Sequence, residues 1–354
     1  MNDLKESHLS SFSLLAPQAF PKEKMGKEEY EPILDQNKRR FALFPITYPT
    51  LWELYKKQVA SFWKAEEIDF SKDIEDFESL NENEQHYIKR ILGFFASSDG
   101  IVNFNLGTRF LNELVPMEAS VCYTYQMMME NIHSESYSIM LDNLVKKTEE
   151  KMMLLNSIKT VDSIKNIADW AFKWIDSDLP FAYRVVAFCV VEGVFFSGAF
   201  ASIFWIKRFK SNGRLFLSGL MKSNEFIARD EGQHVQFGVE VYKLLQNRLT
   251  TQQVHKIIDE GVEISRAFYS DALPVRLLGI NEESMMDYIM YVSDRLLVEL
   301  GYEKKYNKQN PFPFMETIGM QSKTNFFESR PTEYQSAHVL GDKENKNDIL
   351  EDDF

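Results

Sequence analysis

The chain has 354 residues, 44% hydrophobic and 26% charged, enough to bury a large core, and it reads as one helical domain with tails although length alone would allow two domains. Its 15 glycines and 11 prolines are too few for a sheet-and-turn protein of this length. A formal charge of −13 argues against a nucleic-acid partner.

Residues 1–37 are mixed polar without sustained periodicity and are expected to form a flexible N-terminal segment. No basic start precedes a long apolar core there, so no secretory signal is expected. A helical domain is expected over 38–329, and a flexible acidic tail over 330–354. Apolar periodicity predicts helices at about 50–64, 82–113, 117–146, 161–176, 181–209, 221–247, 251–271 and 283–302. Breaks fall at Pro116, at Ser177 to Pro180, at Ser211 to Gly213 and at Pro274. Cys122 and Cys189 sit in apolar helical contexts and form no Cys-x-x-Cys pair, which suits reduced thiols in a cytoplasmic protein without dithiol chemistry of its own.

In chain order, these helices carry a sparse set of acids and histidines. Asp99 is a lone acid in RILGFFASSDGIV; Glu130 and His133 follow on the next helix; Glu192 is alone in VVAFCVVEGVFFSGAFASIFW; Glu231 and His234 follow again. No other glutamate stands three residues before a histidine, although the chain has 6 histidines. On a helix, three residues turn about 300° and rise about 4.5 Å, so both side chains point from one face toward one point. One such pair is common by chance. The lone acids sharpen the signal, because a charge in an apolar helix is costly unless paired or metal-bound. The order acid, Glu-x-x-His, acid, Glu-x-x-His reads as a pseudo-repeat of two helix pairs. It is the ligand set of a dinuclear iron or manganese site in a helical bundle, where four carboxylates neutralise two divalent cations.

From Val185 to Ile206 only Glu192 is charged, a length sufficient to cross a bilayer. A single span would leave that acid facing lipid, and the flanking PFAYR and KRFKSNGR offer no second span to shelter it. A fully buried central helix, and no membrane partner, is therefore expected. Tyr137 follows His133 by four residues and lies on the same face, about 6 Å further along. An oxidised metal pair needs a nearby reductant, and a walled-off phenol can lose an electron and persist as a radical. Phe196 and Phe200, one and two turns beyond Glu192, and Ile227, one turn before Glu231, are candidates for that wall; the alternative for each is ordinary core packing.

The segments FFASSDGIVN, ENIHSESYS, VEGVFFSGAFASIFW, SNEFIARDEG, ALPVRLLG and KTNFFE resemble those of the small, radical-generating subunit of class I ribonucleotide reductase in its eukaryotic form, over about Arg39 to Tyr334. The resemblance implies an all-α, ferritin-like bundle with Asp99, Glu130, His133, Glu192, Glu231 and His234 as ligands, the same set as above, and Tyr137 as the radical tyrosine. It further implies two iron ions per chain, with manganese as the alternative, and dioxygen for radical generation. Trp52, in YPTLWELYKK, matches the family's electron-relay tryptophan, Asp230 the acid linking it to His133, and Arg229 a nearby proton-handling residue. The alternatives are a core anchor at Trp52 and an acid at Asp230 that orients His133. Tyr334 matches a tail tyrosine at the subunit boundary, and DILEDDF resembles the acidic tail that docks on the large subunit. Asp348 stands where that tail usually carries an aromatic, with Ile349 beside it; Phe104, Gln233 and Pro313 also depart from the family pattern, none of them at a ligand.

The expected function is thus a ribonucleoside-diphosphate reductase small subunit, cytoplasmic, a homodimer or a heterodimer with a second small subunit. It would pass an oxidising equivalent to a large subunit that carries the reducing thiols. The alternatives are an iron store or other ferritin-like carboxylate oxidase, which would not need Trp52, Asp230 and the tail together, and a structural paralogue, which would not need an intact site.

Overall fold

Several helices start on residues suited to that work. A computed structural model describes residues 30–315, apart from 212, 274, 275 and 278; the expected break at Pro274, Tyr334 and the tail ending in Phe354 lie outside the described residues. Among the described residues, regular structure is helical apart from one isolated bridge between Leu277 and Ile280. Helix α1 (Pro49–Ala60) opens on a proline, whose missing N–H is no loss in a first turn. Helix α2 (Asp73–Glu78) is short. Helix α3 (Glu82–Asn105) starts with a capping box between Asn81 and Glu84 and continues through a π-turn, Leu106–Phe110, to Glu113. Helix α4 (Met117–Leu144) follows Pro116, and α5 (Thr148–Leu155), α6 (Ser157–Thr160) and α7 (Asp162–Ile175) lead to the central helix.

That central helix is α8 (Phe181–Val190), a π-turn at Val191–Phe195, and α9 (Phe196–Phe209). Its most apolar stretch is 89% buried, so protein rather than lipid receives its apolar surface. Helix α10 (Ser218–Lys243) follows, then α11 (Thr251–Ala272) with a capping box at Thr250, and α12 (Glu282–Leu300), which ends at Gly301 with φ +93°. Helix α3 packs along α4, and the central helix packs on α10, with α3 also touching α9 and α4 touching α10. These four rods are the ferritin-like core.

Two helix starts are capped by other helices. Leu217, before α10, has a left-handed backbone (φ 48°) and no side-chain cap. Asp73 of α2 instead accepts from the N–H groups of Gly219 (3.0 Å) and Leu220 (2.7 Å), while Asp76 accepts from that of Leu217 (2.8 Å). A Cβ at Gly219 would meet the Asp69 carbonyl oxygen at 2.7 Å, so this approach needs glycine. Glu118 of α4 likewise accepts from the N–H groups of Thr47 and Tyr48 at the start of α1.

Three expectations change. Helix α1 stops at Ala60 rather than near 64, because the N–H and hydroxyl of Ser61 both turn back onto the Gln58 carbonyl (2.9 and 2.8 Å). The short α2, α5 and α6 were not predicted, since eight residues or fewer show little periodicity. Residues 30–37 are not a flexible segment. Ile33 is 2% exposed, its carbonyl accepts from the N–H of Val115 (2.9 Å), and Glu31 accepts from those of Gln246 and Asn247. A single buried isoleucine can anchor a strap without any repeating pattern.

Candidate metal centre

Asp99 comes from α3, Glu130 and His133 from α4, Glu192 from the π-turn of the central helix, and Glu231 and His234 from α10. All six are buried, none more than 2% exposed. They form two overlapping ligand groups, Asp99 with Glu130 and His133, and Glu130 with Glu192, Glu231 and His234, the donor atoms of each group lying within 4.8 Å of one another. Glu130 belongs to both. His133 Nδ1 is 3.0 Å from Glu231 Oε1 and 3.4 Å from Glu130 Oε2. His234 Nδ1 is 3.0 Å from Glu130 Oε1, 3.1 Å from Glu231 Oε2 and 3.7 Å from Glu192 Oε2. Both imidazoles thus aim the same nitrogen at the carboxylates.

Whether these residues fit metal ions is tested by what they lack. Both oxygens of Asp99, Glu130 Oε2, Glu192 Oε2, Glu231 Oε1 and His133 Nδ1 are buried without a hydrogen-bond partner. One such atom is unfavourable by about 1–3 kcal/mol, so a converging set of them calls for a cation. Charge points the same way. Burial raises Asp99 well above the usual carboxylate range, and Glu130 adds to it; burial likewise raises Glu231, with Glu130 and Glu192 pushing alongside. Burial alone would raise Glu130 too, yet His234 first and then His133, close beside it, bring it down to about 2. Burial opposes charge on His234, but the carboxylates of Glu130 and Glu192 push it up to about 10. His133 is raised against its burial by its hydrogen bond to Asp230 and by the neighbouring carboxylates of Glu130 and Glu231. These opposed pushes within one buried cluster are those a cation would relieve.

Tyr137 is fully buried on the His133 face, and its hydroxyl has no partner. Burial, then the charge of Asp99, raises its pKa well above the ordinary phenol value. Its ring stacks on Phe95 at 4.5 Å and 3° between planes, a neighbour the sequence reading missed. The signal was available, since Phe95 stands one turn before Asp99 on α3. Phe196 and Phe200 pack on Phe95 at 5.7 and 5.0 Å, and Ile227 is buried on α10. Gln126, one turn before Glu130, was also missed; its amide donates to both Glu130 and Glu192.

The expected link between Trp52 and Asp230 is corrected. Trp63 Nε1 donates to Asp230 Oδ2 at 2.7 Å, and its ring stacks on His133 at 5.9 Å. Asp230 Oδ2 is 3.2 Å from His133 Nε2, while Arg229 donates to Asp230 Oδ1 (2.8 and 3.0 Å) and to the Ser61 carbonyl (2.7 Å). Burial works against the charge on Asp230, but Arg229 and His133 lower its pKa. Trp52 lies on α1 among Phe44 and Tyr55, with Lys56 over its ring. A helix running to 64 would put both tryptophans on one face, eleven residues apart; the early stop at Ala60 turns only Trp63 inward. Of the departures from the family pattern, Gln233 bonds Ser61, and Phe104 is 49% exposed beside Phe172.

Four helices surrounding a buried carboxylate and histidine cluster define a ferritin-like scaffold with a candidate dinuclear metal site. Residues 40–311 match the family described as ribonucleotide reductase, small chain. The protein is 48% identical over 334 residues to ribonucleoside-diphosphate reductase subunit M2 of Danio rerio, covering 94% of this chain and 85% of that one. It is 49% identical over 310 residues to the ribonucleoside-diphosphate reductase small chain of Nicotiana tabacum, covering 88% and 93%. Among solved structures, the ribonucleotide reductase Rnr4 homodimer of Saccharomyces cerevisiae superposes with a TM-score of 0.73 at 38% identity, covering 82% of this chain and 91% of that one. The chain belongs to the ribonucleotide reductase small-chain family.

Proposed function

We propose that the chain uses two metal ions, iron with manganese as the alternative, together with dioxygen to oxidise Tyr137, and delivers that oxidising equivalent to a ribonucleotide held by a large-subunit partner. Bound iron supplies the oxidation that dioxygen drives. Asp99, Glu130 and His133 would hold one ion, and Glu130, Glu192, Glu231 and His234 would hold the other. Tyr137 keeps its proton at rest, because burial and nearby carboxylates disfavour the phenolate. Phe95, Phe196, Phe200 and Ile227 keep solvent from its ring. Asp230 joins His133 to Trp63, so Trp63 takes the relay role that the resemblance assigned to Trp52, and Arg229 holds Asp230 in place.

Tyr334 and the terminal DILEDDF are proposed to continue the route and dock the chain on the large subunit, in the cytoplasm. A homodimer is supported by the homodimeric yeast neighbour; a heterodimer with a second small subunit is the alternative. The observation that carries this reading is the unpartnered, fully buried Tyr137 hydroxyl one turn from His133. The test is an electron paramagnetic resonance spectrum after loading with ferrous iron and oxygen. The wild-type chain is expected to give a persistent organic radical, and Tyr137→Phe to bind the same metal without it. A radical of equal yield in Tyr137→Phe would place it on another residue.

A further inference from the structure

Gln126 is fully buried, and its carboxamide nitrogen lies 3.2 Å from Glu192 Oε1 and 3.3 Å from Glu130 Oε1. Its carbonyl oxygen has no hydrogen-bond partner. The flipped amide would set that oxygen against two carboxylates, so charge dictates the orientation. A primary amide has two N–H groups, and here each goes to a ligand on a different helix. A buried carbonyl without a partner is unfavourable, so Gln126 is not kept here by its own satisfaction. Its nitrogen has a definite effect on Glu192: Oε1 is engaged, and Oε2, which is unpartnered, is left 3.7 Å from His234 Nδ1. The backbone of Glu192 adds a reason to need such a hold, because it lies in a π-turn rather than in regular helix.

We propose that Gln126 is a positioning residue that holds Glu192 as a one-oxygen ligand, presenting Oε2 to the cation on the His234 side; this rests on the dinuclear reading above. Glu192 joins the group with Glu130, Glu231 and His234 but not the group with Asp99 and His133. The second bond of the Gln126 amide goes to Glu130 Oε1, the oxygen 3.0 Å from His234 Nδ1, and leaves Oε2, on the His133 side, unengaged, so loss of the amide falls mainly on the ion of the His234 side. Removing a partner that orients a metal ligand reduces metal affinity by about 10–100-fold.

The test is anaerobic titration of the full chain with cobalt(II), reading bound metal by dialysis and coordination by visible d–d absorption. The wild-type chain is expected to bind two cobalt ions. Gln126→Leu keeps the volume but removes both donors, and is expected to weaken one ion by about 10–100-fold with an altered spectrum, while the other shifts by less than about threefold. Gln126→Asn keeps the amide one methylene short of spanning both carboxylates; it is expected to show the same one-site loss, and decides the matter if the leucine variant does not fold. Unchanged affinities and spectra in the variants overturn the inference and leave the dinuclear reading standing. Equal weakening of both ions makes Gln126 a packing residue and also overturns it. Fewer than two ions in the wild type overturns both readings.

Discussion

Helices α4 and α10 carry the same ligand pair, and their surroundings differ at each step beyond it. One turn after His133 stands Tyr137, buried with an unpartnered hydroxyl; one turn after His234 stands Gly238, where a Cβ would meet Cys189 Sγ at 2.9 Å. Before Glu130 stands Met129; before Glu231 stands Asp230, which reaches across to His133 and Trp63. The two helices are thus alike at the ions and unlike around them. Tyr137 stands one turn from His133, and the outward hydrogen-bond chain begins at His133. Ligand sets constrain side chains to one point and leave little freedom, whereas the next turn is free to specialise.

The largest effect expected from breaking this arrangement is Glu231→Ala. Its carboxylate lies within 3.0–3.1 Å of both histidines, and α10 offers no substitute acid aimed at the cluster, so the bound metal should fall from two ions to one or none. Metal analysis of the purified variant checks it, and an unchanged count would remove Glu231 from the ligand set. Next in size is the outward chain. Trp63→Phe keeps a ring but removes the N–H on Asp230, and turnover with a large subunit is expected to drop by about 10–100-fold or more, while Trp52→Phe stays within about threefold. Equal losses in the two variants would restore Trp52 as a candidate relay. The smallest effect sharpens the silent side of the comparison. Gly238→Ala adds overpacking of about 1–3 kcal/mol against Cys189, partly offset by about 0.5–1 kcal/mol of helix preference, for a net loss near 1 kcal/mol. Denaturant midpoints should show that loss, and Cys189→Ala in the same chain should abolish it; a loss that persists would locate the strain elsewhere.

Much of this was legible in the sequence for a physical reason. A charged residue in an apolar helix has few uses, so Asp99 and Glu192 stand out, and the i, i+3 spacing fixes Glu130 with His133 and Glu231 with His234 on common faces. Long helices with apolar periodicity were equally clear. What escaped notice depends on the end of α1 and on contacts between helices. Trp63 reaches Asp230 only because the chain turns at Ser61, which depends on one hydroxyl and one carbonyl. Phe95 and Gln126 sit at helical spacing from a ligand, but so do many core residues, and only packing shows that one stacks on Tyr137 and the other bridges two carboxylates. Ile33 has no pattern around it to betray its burial.

The π-turn at Val191–Phe195 has a consequence of phase. A π-turn closes with one residue more than an α-turn, so everything after it is turned back by about 100° and set back by about 1.5 Å relative to an uninterrupted helix. Glu192 lies inside that extra turn, while Phe196 and Phe200 lie beyond it. The widened turn therefore acts as a gear offset within one rod, both halves of which pack on α10, and the segment after it aims two phenylalanines at Phe95.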